Sequence, residues 1–134
     1  MPLTKRDLFI AGLFLYWGEG TKRSEARLAL SNTNPAAIRF FIKWLEESFS
    51  VSRGKVKIYL HLYKNMSIKK EISFWSKTLS ISKKQFTKPY IKKGNSDRIN
   101  YKSGFGHGTC NAMVGDARLY ERVLANLKAI ENDI

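Results

Sequence analysis

The chain has 134 residues, 43% hydrophobic and 13% aromatic, enough to bury the core of one domain without disulfides or a structural metal and too apolar to stay disordered. Twenty-four Lys and Arg against eleven Asp and Glu leave a formal charge of +13. A surplus of that size costs self-repulsion unless a polyanion is the usual partner, so nucleic acid leads the candidates.

Other classes recede. Cys110 is the lone cysteine and can form no internal disulfide, and His61 and His107 are too few for a Cys/His zinc cluster. The longest uncharged apolar run, Leu8 to Trp17, is about half a membrane span. No secretory apolar stretch with a small-residue cleavage site follows the start, so the chain reads as intracellular and not secreted, without a membrane partner.

Thr4 to Asp7 has the S/T-x-x-acid form of a helix N-terminus, and the apolar run beyond it ends where Gly18 and Gly20 break it. This helix is apolar on every face, so it must be covered on two sides, by a sheet and by a further layer or a second subunit. Gly12 would allow another backbone to come close. Glu25 to Ser31 alternates as a half-buried strand, with Ala26, Leu28 and Leu30 inward and Arg27 and Ser31 outward. Asn34 and Pro35 start a second helix whose core stripe is Ile38, Phe41, Leu45 and Phe49, with Glu46 and Glu47 in solvent.

After Gly54 the alternation is clearest. Val56, Ile58, Leu60 and Leu62 point to a core, while Lys55, Lys57, Tyr59, His61 and Tyr63 point the other way. Ser67 caps a third helix with Ile68, Ile72, Trp75 and Leu79 on one stripe. Phe86 to Lys93 reads as a strand carrying Lys88, Tyr90 and Lys92 on its polar side, which Pro89 demotes to an edge or a bulge. Lys93 to Gly108, with Arg98, Lys102 and His107, is long enough to read as a functional loop. Thr109 to Val114 is a short strand with Cys110, Ala112 and Val114 inward and Asn111 outward, and Asp116 caps a last helix.

The sum is an α+β fold with about four strands whose outer faces are basic, aromatic and amide-bearing. Such a face can saddle a major groove, its Lys and Arg on phosphates and its Asn, Ser, Tyr and Arg on base edges. The residues assigned to nucleic acid are Arg27, Ser31, Lys55, Lys57, Tyr59, His61, Tyr63, Tyr90, Lys92, Arg98, Lys102 and Asn111. Glu19, between two glycines at the end of the first helix, fits either a surface Glu in a turn or a ligand for a hard cation bridging to phosphate. Lys22 and Lys88 fit phosphate positioning or polarisation of a water, and His61 a nucleic-acid contact or a general base.

The segment from Ile10 to Lys22, IAGLFLYWGEGTK, resembles a divergent signature helix of the LAGLIDADG homing endonucleases, with Gly12 to Gly20 on the nine motif positions. Leu13 and Phe14 stand where that family has a small Ala-Gly pair, and Gly12 is offset from its usual packing glycine. The resemblance implies one LAGLIDADG-like domain over 1–134, with helices on one face of a mixed or antiparallel four-stranded saddle. It implies a homodimer joined through the motif helix at Gly12, Leu13, Tyr16 and Trp17. It also implies Mg²⁺-dependent hydrolysis of double-stranded DNA, with Glu19 on the metal and Lys22 or Lys88 assisting at the phosphate. A binding or regulatory protein without cleavage on the same fold is the rival, and an RNA-binding maturase a third reading.

Overall fold

The computed structural model describes residues 1–21, 27–93 and 106–134. Helix α1, Lys5–Glu19, starts in a capping box in which the Thr4 hydroxyl accepts from the Asp7 N–H and the Asp7 carboxylate accepts from the Thr4 N–H. Those two bonds hold the Asp7 carboxyl below its ordinary range. Gly18 does not break the helix as the sequence suggested. Nothing lies near it to pack against, the helix runs through it, and Gly20 is the C-cap.

Strand β1, Leu28–Asn32, is followed by α2, Pro35–Phe49, capped by Asn34 with Pro35 in its first turn. A 3₁₀ turn, Arg53–Lys55, leads into β2, Lys57–Tyr63, and then α3, Ile68–Leu79, capped by Ser67. Next come a second 3₁₀ turn, Lys83–Gln85, the short β3, Tyr90–Lys92, β4, Thr109–Val114, and α4, Ala117–Asp133, capped by Asp116.

The four strands form one mixed sheet in the order β1-β4-β2-β3, with β4 antiparallel to both β1 and β2, and β3 parallel to β2. The crossover that parallel pairing requires is supplied by α3. Leu28, Leu30, Ile58, Leu60, Leu62, Cys110, Ala112 and Val114 fill the inner face, where α2 packs over β1 and β4. They share one hydrophobic cluster with Phe41, Trp44, Trp75 and Val123 from the helices. Burial pushes the Cys110 thiol far up, so it is an inert core group.

Helix α1 docks mainly on α2, and its packing departs from the sequence reading. Gly12 faces its own chain's Trp44, and a Cβ there would collide with the indole ring. Trp44 Nε1 in turn donates to the Phe9 carbonyl at 3.1 Å. Leu13 and Tyr16 are buried in the same core, so Gly12, Leu13 and Tyr16 cannot be a surface for a second subunit. Trp17 is partly exposed and contacts the Phe14 ring, 5.8 Å away between centroids. The bare side of α1 is therefore the one carrying Ala11 and Phe14, the latter 48% exposed.

Two further expectations shift. Ile68 is exposed at the start of α3, leaving Trp75 and Leu79 to bury that helix. The third strand keeps only three residues, because Phe86 bridges Ile58 while Tyr90 pairs with His61. Three steps along β2 thus match four along its neighbour, and the extra residue falls in the Thr87–Pro89 stretch as a bulge.

Candidate nucleic-acid interface

No described helix packs on the outer face of the sheet, and strand register sets its side chains in rows. Ala29, Met113 and Lys57 form one row across β1, β4 and β2. Ser31, Asn111 and Tyr59 form the next, then Thr109, His61 and Tyr90, and finally Tyr63 with Lys92. None of these side chains is acidic, and neither ion pair found among the described residues lies on this face.

The rows are tied together. Ser31 Oγ donates to Asn111 Oδ1, and Asn111 Nδ2 donates to the Tyr59 carbonyl at 2.8 Å, so one amide links three strands. That amide oxygen and one of its donors therefore serve the sheet, which leaves Asn111 less free to read a base than its outward position suggested. Arg27 lies over Met113, its Nη1 3.6 Å from Sδ. Tyr59 meets His61 edge-on with ring centres 5.0 Å apart, and Tyr90 lies 5.3 Å beyond His61. Lys92 Nζ sits 5.3 Å from the centre of the Tyr63 ring. Partial burial, with Lys92 nearby, holds the His61 imidazole below its ordinary pKa of 6.5.

Between these residues lies an open groove of about 410 Å³. Ala29 is its floor, buried although it faces outward, and Arg27, Tyr59, His61, Thr87 and Met113 are among its walls. Ala29, Thr87 and Met113 were not singled out in the sequence. Small or neutral residues carry no chemical signal until a register places them beside aromatic ones.

Several candidates stand elsewhere. Lys55 belongs to the 3₁₀ turn, not the sheet, and borders a groove with Asp116, Arg118 and Arg122. Lys88 lies in the bulge beside β2, where Thr87 takes the place on the groove that alternation gave to Lys88. Lys22, Arg98 and Lys102 lie outside the described residues, as do Glu25 and Ala26. His107 is an anchor rather than a ligand-facing group. Its Nδ1 is 2.8 Å from Glu71 Oε2, its ring stacks on Phe74 at 3.6 Å, and its carbonyl accepts from Trp75 Nε1. Glu71 is the other half of that anchor. The next residue, Gly108, has φ +79° and lies so close to the His61 carbonyl that a side chain would collide with it.

Glu19 is exposed at the end of α1. Gly20 then bridges Leu30, the Thr21 N–H donates to the Ala29 carbonyl at 2.9 Å, and Tyr16 Oη donates to the Thr21 carbonyl at 2.5 Å. The carboxylate therefore stands at the β1 edge of the sheet, two residues before Thr21 on the groove. Gly20 pairs on the free edge of β1 whereas Lys88 lies on the β3 side, four strand spacings or roughly 19 Å away, so Lys88 does not stand beside Glu19 as joint action at one phosphate would require. Among the described residues no three His, Cys, Asp or Glu side chains converge to hold a metal. One exposed carboxylate still meets the modest demand of Mg²⁺, which takes one or two carboxylates and fills its shell with water and phosphate oxygens.

Comparison with protein-family models, with curated proteins and with solved structures finds no match in any of the three. Among the described residues no helix is long and apolar enough to cross a membrane.

Proposed function

We propose that the chain is a DNA-binding protein that docks the outer face of its sheet on double-stranded DNA. The observation that carries this reading is the open face itself, with Arg27, Lys57 and Lys92 beside Tyr59, His61, Tyr63 and Tyr90 and no carboxylate in its rows. Its cations neutralise phosphates, and its hydroxyl and imidazole groups reach base edges.

The resemblance of the first helix extends the proposal to a LAGLIDADG-like, Mg²⁺-dependent endonuclease. In that reading Glu19 holds the metal together with phosphate oxygens, and Lys22 assists at the phosphate. The chain acts as a homodimer joined through the bare side of α1, at Ala11, Phe14 and Trp17, so that each copy contributes one Glu19. The position of Glu19 at the sheet edge supports this, since a carboxylate there would meet the backbone of DNA lying on the face. A binding protein without cleavage is the second reading, favoured because no three metal-ligating side chains converge among the described residues.

The deciding experiment is Mg²⁺-dependent nicking of a supercoiled plasmid library by the wild type and by Glu19→Gln. Cutting by the wild type alone supports the nuclease. Cutting that survives the substitution removes Glu19 from the chemistry, and salt-sensitive binding without any cutting leaves the binding protein.

A further inference from the structure

The outer face is not uniform across its width. Its β1–β4 side is hydroxyl, amide and guanidinium, whereas Tyr59, His61 and Tyr90 place three rings in succession across β2 and β3, the first two T-shaped and the last two tilted. Tyr90 is 52% exposed. Tyr63 is set apart, because Lys92 already occupies one face of its ring.

Duplex DNA conceals the faces of its bases and offers a protein only edges, sugars and phosphates, so adjoining rings gain little from it. An unpaired base exposes its faces, and stacking on an aromatic side chain is the principal way proteins hold one. Beside these rings lies the groove floored by Ala29. Its volume of about 410 Å³ falls within the range of roughly 300–1,000 Å³ typical of small-ligand sites. Tyr59 and His61 form its ring wall, Arg27 borders it, and Lys57 lies opposite Met113 at its margin.

We infer that this groove seats one unpaired DNA base against Tyr59 and His61, that Tyr90 stacks the next, and that Arg27, Lys57 and Lys92 hold the flanking phosphates. The inference rests on the DNA-binding reading above and names the part of the DNA that this half of the face takes.

The test is fluorescence anisotropy at fixed salt with a short single DNA strand, the same strand made abasic, and a duplex. The base-bearing strand binds at least about tenfold tighter than the abasic one, since about tenfold is the contribution of each stacked base. Tyr59→Leu and Tyr90→Leu bring that ratio towards one, and so does Ala29→Leu, which fills the groove without removing a ring or a charge. Lys57→Gln weakens both strands alike and leaves the ratio in place. A wild-type ratio of one with intact duplex binding overturns the base seat and leaves the DNA reading standing. A tenfold ratio that survives both Ala29→Leu and Tyr59→Leu also overturns it. Absence of salt-dependent binding to all three probes brings down both, and a single RNA strand that binds tenfold tighter than the DNA strand overturns the assignment to DNA.

Discussion

The two faces of the sheet are built on the same strands and answer to different solvents. Along β2, Ile58, Leu60 and Leu62 are buried in the core, while the alternating Tyr59, His61 and Tyr63 stay half exposed. On the inner face every side chain is held by volume, and on the outer face by what it leaves free for a partner. Substitutions should separate accordingly, inner ones reading out as stability and outer ones as affinity.

The sharpest break of that rule would come at Trp44, which fills the space between α1 and α2. Trp44→Ala is expected to cost about 3–5 kcal/mol, measured as a shift of the denaturant midpoint. A loss below about 1 kcal/mol would mean that α1 is not packed there. Gly12→Ala tests the same packing from the other side, and its methyl group driven against the indole should cost about 1–3 kcal/mol.

On the outer face, Lys57→Gln should leave stability within about 0.5 kcal/mol, as for surface changes generally. Its effect belongs instead in the salt dependence of duplex binding, where the slope of log affinity against log salt should fall by about 0.9 when one fewer phosphate is neutralised. An unchanged slope would place Lys57 outside the interface.

The smallest effect is a pH dependence at His61. Its folded pKa is lowered, so as pH falls below about 6.5 the unfolded chain takes up the proton first and stability declines slightly. Binding to phosphate has the opposite sign, because a protonated His61 adds charge to the face. DNA affinity should therefore rise as pH falls from about 7.5 to about 5.5, and His61→Gln should abolish both trends. Affinity that rises equally in the variant would assign the effect to another group.

Much of this division could be read from sequence where one face of an element is wet. The period-two alternation of β2 and β4 gave the correct inward and outward sides, and Asn34, Ser67 and Asp116 marked the starts of their helices. Where polarity offered no phase, the reading failed. The first helix is apolar all round, so its sequence could not say that Gly12, Leu13 and Tyr16 turn towards α2 while Phe14 turns away. Pro89 marked the third strand as an edge or a bulge, but which residue the bulge displaces depends on the pairing offset, and it moved Lys88 off the groove in favour of Thr87.

Long-range polar ties were equally hidden. Arg53 joins the Glu46 carboxylate at 3.0 Å and the Leu79 carbonyl at 2.6 Å, fastening the turn before β2 to two helices. Gln85 Nε2 reaches the carbonyls of Arg53 and Val56 from 32 and 29 residues away. Each is an ordinary surface-type residue in sequence, and only the fold reveals its partner.

The strand order also bears on how the chain is made. β4 comes last among the strands yet lies between β1 and β2, and its Asn111 meets a Ser31 that is 80 residues earlier. During synthesis β1 leaves the ribosome long before the strand that will cover its edge, and β2 likewise waits for its antiparallel neighbour. The sheet therefore closes only once Thr109–Val114 is out, which makes folding slow and leaves apolar strand edges uncovered on the nascent chain. A chain stalled before Thr109 would be a substrate for chaperones rather than a partly working protein.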